Sequence, residues 1–162
     1  MELFTSLEAT GLGRALITFV VSLLPVVELR GAIPIGVGLG LHPFSAMVIS
    51  VVGNMVPVPF IILFIRRLFQ WMRGKSPKLA AIVEKMENKA YSKRELIRKW
   101  ELLGLFILVA IPLPGTGAWT GALVAAIFDI QLRSAVPTIL AGVIVAGFII
   151  TGITVGFASI FA

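Results

Sequence analysis

Cysteine is absent from the 162 residues, histidine occurs once, at His42, and the eight carboxylates are dispersed. Disulfides, thiolate chemistry and Cys-based metal sites are thereby excluded, and no metal or cofactor is expected. Charge is also scarce: 14% of residues are Asp, Glu, Lys or Arg and 58% are hydrophobic, whereas a soluble domain has ~25% and about 45–50%. From Ala15 to Ile65 the only charged residues are Glu28 and Arg30, and from Leu102 onward only Asp129 and Arg133. Both stretches are far longer than the roughly 20 apolar residues one spanning helix needs. With a mean hydropathy of +1.03, the chain reads as an integral membrane protein. No nucleophile elbow, P-loop or metal-ligand spacing is present, so an enzyme is not expected. The start, Met-Glu-Leu-Phe with Glu2 and Glu8 before Arg14, lacks a basic n-region, so the first apolar segment is expected to stay in the mature protein.

What charge there is lies in one place. Eleven of the fourteen basic residues fall between Arg66 and Lys99, beside Glu84, Glu87 and Glu95, and they account for the net charge of +6. A basic block between two apolar halves is what a cytoplasmic loop carries under the positive-inside rule, so a multi-pass protein of the cell (plasma) membrane is expected. Contact with anionic membrane lipids follows; nucleic acid is not expected as a partner, since no groove-reading motif accompanies the charge. The block predicts an interfacial helix from about Pro77 to Trp100, with Ile82, Met86, Leu96, Ile97 and Trp100 on its apolar face. Trp71, Trp100 and Tyr91 read as interfacial anchors.

Four apolar segments follow from the pattern. The first, Leu16 to Leu41, is interrupted by Pro25, Glu28, Arg30, Gly31, Pro34 and a Gly36/Gly38/Gly40 run; the second, Phe44 to Phe69, holds Pro57 and Pro59. The third, Leu102 to Phe128, breaks at Pro112-Leu-Pro-Gly-Thr-Gly117, and the fourth, Ala135 to Phe161, is an Ile/Val/Gly/Ala span. Each half is therefore a broken segment, a short polar turn (Leu41–Pro43, Asp129–Arg133), then a better span. Paired interruptions at matching positions are a transporter's sequence pointer to its binding site. The expected fold is an all-α integral membrane protein of two inverted repeats, each a re-entrant helical hairpin plus a transmembrane helix. As one membrane domain it divides into repeat 1 (14–69), a basic amphipathic cytoplasmic connector (70–101) and repeat 2 (102–162). Each hairpin would be two half-helices of about ten residues, half of a full span. Four kinked spans are the alternative, and the two differ in which face the N-terminus occupies.

Two constellations carry chemistry. Charges deep in an apolar segment are costly, so Glu28 and Arg30 should face a cavity or a partner. Their i, i+2 spacing puts them on different helix faces, so they cooperate only where the backbone unwinds, which Gly31 and Pro34 are expected to cause as hinges. Arg30 offers a planar fork for phosphate or carboxylate; Glu28 pairs with it or exchanges a proton. In the second, Pro112 and Pro114 act as hinges. Gly115, Thr116 and Gly117 open a helix whose free amides and dipole suit an anion, Thr116 or Gly117 caps it, and Thr120 adds a hydroxyl. Purely structural readings stand beside these: an ion pair at the hairpin tip, and a packed kink. Asn54 reads as helix-to-helix glue, Asp129 with Arg133 as a structural pair, and His42 as an exposed turn residue.

Glu28-Leu-Arg-Gly-Ala-Ile-Pro-Ile-Gly36 and Pro112-Leu-Pro-Gly-Thr-Gly-Ala-Trp-Thr-Gly121, separated by a basic loop, resemble the small multidrug export protein family over essentially the whole chain. That family is similar in layout to the DedA (VTT-domain) membrane proteins. The resemblance implies two opposed re-entrant hairpins and movement of lipid phosphates, coupled to protons. By it Glu28 matches the acidic position of hairpin one and Pro112 to Thr116 the proline-containing loop of hairpin two. Where DedA proteins usually carry arginine in that loop, Pro114, Gly115 and Gly117 stand here, leaving Arg30 to supply the charge. The expectation is a transporter or flippase of an anionic amphiphile such as a polyprenyl phosphate. Arg30, Gly115, Thr116, Gly117 and Thr120 would bind it, with Glu28 as the proton-coupling group. Proton-coupled export of small drugs and a non-transporting membrane scaffold are the competing readings. A homodimer is compatible with so short a chain.

Overall fold

The computed structural model describes residues 10–91, 100–113 and 115–161. Among these it contains eight α-helices and no strand: α1 Gly11–Ser22, α2 Glu28–Gly38, α3 Pro43–Met55, α4 Pro57–Lys75, α5 Pro77–Tyr91, α6 Glu101–Ala110, α7 Ala118–Ile127 and α8 Leu132–Phe161. The chain is thus an all-helical membrane protein with two apolar stretches long enough to cross a bilayer, Pro43–Lys75 and Leu132–Ile160.

The other apolar helices are half that length. α1 has 12 residues, α2 has 11, and α6 and α7 have 10 each. At 1.5 Å per residue each reaches about 15–18 Å, against roughly 30 Å of hydrocarbon.

Local chemistry sets the breaks. Thr10 opens α1 by accepting the Gly13 amide at 3.2 Å. α1 tightens to an end where Leu23 and Leu24 donate to Val20 and Val21, both at 3.2 Å, immediately before Pro25, which cannot extend the ladder. α2 ends in a Schellman turn: Gly40, at φ 91, donates to Val37 and Leu41 reaches back to Gly36. α7 ends the same way, with Asp129 at φ 53 donating to Ala126, and Ile130 reaching Ala125. The two halves therefore close their short helix pairs with one device. His42, an exposed turn residue as expected, caps α3 by accepting the Phe44 amide at 3.3 Å, with Pro43 at the first helical position. The second apolar segment is not continuous. It divides at Val56, because Pro57 and Pro59 both withhold amide donors.

Packing follows the same correspondence. α1 lies on α2 and α3, as α6 lies on α7 and α8. α2 then packs on α8, the long helix of the other half, and α7 packs on α4. One apolar core joins both halves: Leu29 and Ile33 of α2, Val58 and Ile62 of α4, Leu105 and Val109 of α6, and Ile139 and Val143 of α8. α7 meets it with Ala118, Ala122, Ala125 and Ala126, small residues that let helices approach closely where lipid gives no hydrophobic drive.

The basic helix differs in part from expectation. α5 runs Pro77–Tyr91, and its inward residue is Val83, fully buried, while Ile82 is exposed. Leu96 and Ile97, and the side chains of Met86 and Tyr91, lie outside what is described. α5 packs on α4 and α7, and it is this contact that turns Val83 rather than Ile82 inward. Trp71 and Trp100 are exposed, and Lys75 stacks over the Trp71 ring at 4.5 Å.

Candidate functional site

The two predicted constellations meet. Glu28 opens α2 at φ 49, a left-handed conformation that a non-glycine residue holds only when its surroundings impose it. Its side chain is 3% exposed and crosses to the other half, where Oε1 accepts the Trp119 amide at 3.2 Å. Trp119 is the second residue of α7, so the carboxylate caps that helix N-terminus and meets the positive end of its dipole. Gly117 makes the approach possible. At φ 120 it lies so close that a Cβ there would stand 2.1 Å from Glu28 Oε2.

Arg30 makes the second crossing. Its guanidinium donates to the Leu113 carbonyl and, at 2.6 Å, to the Thr116 hydroxyl. Thr116 in turn holds the loop: its hydroxyl accepts the Leu113 amide at 3.2 Å and gives its proton to the Ile111 or Leu113 carbonyl, at 2.7 and 2.8 Å. Thr120 donates to the Gly115 carbonyl at 3.1 Å.

Between these groups lies a cavity of about 510 Å³. Glu28, Arg30, Pro112, Gly115, Thr116 and Thr120 line it, all named by the sequence; Pro25, Val26 and Ile150 complete the wall. Ile150 was hidden because nothing in the long α8 sequence distinguishes one isoleucine. Gly117 sits behind Glu28 rather than in the wall. Pro114 lies outside the described residues.

Two expectations change and a third narrows. The backbone does not unwind at Gly31 and Pro34: both lie inside α2, and the break falls at Leu23–Val27, before Glu28. Pro25 and the left-handed Glu28 make the reversal, and α2 tolerates Pro34, on its exposed side, at the loss of one bond to the Arg30 carbonyl. Among the described residues no ion pair joins Glu28 to Arg30; each charge finds its partner on the opposite half. Of the two expected cap residues it is Gly117 that occupies the α7 cap position, without a side-chain bond, and Glu28 supplies the acceptor. A further pairing also differs: Asp129 meets Arg66 of α4 at 3.4 Å, not Arg133, and Arg66 donates as well to the Ile130 carbonyl. Arg66 was read only as part of the basic block, and the sequence carries no sign of this contact.

Chemically, the cavity wall holds one fixed cation, one carboxylate and two hydroxyls beside the apolar Pro25, Val26, Pro112 and Ile150, and the start of α7 lies behind the carboxylate. That set can bind and release an anion; it contains no nucleophile–base pair. In secondary transporters, broken helices point their N-termini at anionic groups of the substrate. The chain matches the family described as "putative small multi-drug export protein" over residues 28–149, and it belongs to that family. The matched region begins at Glu28 and takes in every residue named above for the site except Pro25, Val26 and Ile150. No curated protein and no solved structure matches the chain.

Proposed function

We propose that this protein is a carrier, not an enzyme, that moves an anionic amphiphile of the lipid-phosphate kind across the cell membrane, with a proton as the coupling ion. The observation that carries the reading is the place of Glu28: its carboxylate sits on the α7 N-terminus beside Arg30, where a substrate anion would bind. The site holds an anion of its own chain. A phosphate entering the cavity would compete with that carboxylate for the Trp119 amide and for Arg30. Protonation of Glu28 removes the competing charge and frees the helix start, so anion and proton would bind together. Arg30 would then exchange its neutral partners, the Leu113 carbonyl and the Thr116 hydroxyl, for the phosphate oxygens, which its fork fits in bidentate fashion.

Half-length helices, matched Schellman turns and exchanged packing support two re-entrant hairpins as inverted repeats, meeting at the cavity. The basic segment α4–α5 would then face the cytoplasm, with Thr10 and His42 both outside. The family description favours a second reading, export of small drugs, in which Glu28 counters a cationic substrate. Arg30 in the same wall weighs against a cation, because the two like charges would share one low-dielectric cavity.

The test is translocation of a fluorescent polyprenyl phosphate in proteoliposomes under an imposed pH gradient, wild type against Arg30→Ala. Movement that depends on the protein and falls by an order of magnitude or more in the variant supports the anion carrier. A cationic dye that moves equally well or faster in Arg30→Ala, with no lipid movement, favours drug export instead. If both substrates stay put with folded, oriented protein, the carrier reading fails.

A further inference from the structure

The wall of the cavity is divided by chemistry. Glu28, Arg30, Thr116 and Thr120 give it polar groups, while Pro25, Val26 and Ile150 give it hydrocarbon. The two kinds also differ in depth. Glu28 is 3% exposed, whereas Val26, two residues before it, is 93% exposed, and Leu24 and Leu113 on the adjoining turns are 47% and 56% exposed. Irregular backbone is tolerated at membrane depth only where it is buried in protein or lines a wet cavity. The turn ahead of Glu28 therefore gives its inner side to the cavity, and the side chains it turns outward are apolar. Valine and leucine at such a rim cost free energy against water and none against lipid tails, which are as apolar as they are.

Volume adds a second constraint. At ~30 Å³ for a water-sized group, a methylene being of similar size, 510 Å³ holds about 17 such groups. A phosphate and a stub of chain fill that space; a hexadecyl or polyprenyl chain exceeds it and has to leave. A compact drug fits a cavity of this size whole, and the exposed apolar rim is what favours a ligand that continues past it. We infer that the cavity opens sideways onto the hydrocarbon between the turn ahead of Glu28 and α8. An anionic amphiphile then enters headgroup first, and its chain stays in the bilayer against Val26 and Ile150. The inference rests on the carrier reading above and adds to it where the chain runs. Selection falls on the headgroup and the first carbons, and chain length beyond them is not read.

Photolabelling of the full chain in lipid nanodiscs tests this, with calorimetric binding of octyl phosphate measured beside it. The probe is hexadecyl phosphate carrying a diazirine on the part of its chain that lies beyond the cavity. Label is expected at Val26 and Ile150 or the residues next to them, reduced several-fold by excess plain hexadecyl phosphate and unchanged by hexadecanol, which lacks the anion. Label that hexadecanol removes equally well overturns the inference, since it reports an apolar surface alone. Phosphate-competable label confined to α4 or α7 overturns the exit while leaving the anion site standing. Octyl phosphate binding without any competable label does the same and assigns the cavity to short anions. Binding of neither phosphate overturns the exit together with the carrier reading beneath it.

Discussion

At the residue scale the chain places two charges within an apolar segment and gives each a partner on the opposite half. Glu28 is held by one backbone amide and a glycine that leaves it room; Arg30 by one carbonyl and one hydroxyl. Gly117→Ala should therefore expel the carboxylate, since its Cβ would fall 2.1 Å from Oε2, and should also strain a positive φ. A loss of about 1–3 kcal/mol is expected, read as a drop in thermal midpoint in detergent. Glu28→Gln combined with Gly117→Ala should not restore it, because the amide is as bulky as the acid. Asp129 offers a contrasting case. It is 65% exposed in its ion pair with Arg66, so the pair contributes at most about 1 kcal/mol, while its φ of 53 favours glycine. Asp129→Gly should thus be at least as stable as wild type, and Asp129→Val less stable by about 1–3 kcal/mol. A midpoint lowered equally by both would show that the ion pair, not the backbone, governs this turn.

Elements were legible where the signal was local. The four apolar segments, the loop at Pro112–Gly117 and the turns after α2 and α7 follow from proline, glycine and charge spacing. The exact form of the first break did not. Gly31 and Pro34 looked like the strongest helix breakers, yet both are accommodated in α2, and the reversal depends on a left-handed glutamate that no propensity would place there. The partners of Glu28 and Asp129 were equally hidden, because they come from helices about ninety and sixty residues away. Chain-local reasoning brought Arg30 and the Gly115–Gly117 turn to one site, but it paired each charge with its nearest opposite. What the short helices do in a bilayer is testable at this scale, and the lack of cysteine makes the experiment clean. Single cysteines at Thr10 and His42 should label from one face of the membrane and one at Lys78 from the other. Thr10 and Lys78 labelling together, with His42 opposite, would replace the hairpins by full spans.

For the whole molecule, the two crossings at the cavity tie one half to the other at its polar centre; elsewhere the halves meet through apolar packing of α2 on α8 and α7 on α4, and through Arg66 with Asp129 and the Ile130 carbonyl. On the carrier proposal, movement of a substrate between faces breaks Glu28–Trp119 and Arg30–Thr116, whose two charges line one cavity. Glu28→Gln and Arg30→Met should consequently be non-additive in thermal stability, the double variant losing less than the sum of the singles. Simple additivity would mean the crossings act independently.

The central claim is that Glu28 and a substrate anion compete for one place. Its most direct measurement is binding of a short-chain alkyl phosphate to the purified protein by calorimetry, across pH, for wild type and Glu28→Gln. The account predicts that wild-type binding strengthens as pH falls, that Glu28→Gln binds more tightly at neutral pH with a weaker pH dependence, and that Arg30→Ala abolishes binding in both. Binding that is unchanged or lost in Glu28→Gln would contradict it, because a carboxylate that does not oppose the anion cannot couple a proton to its passage.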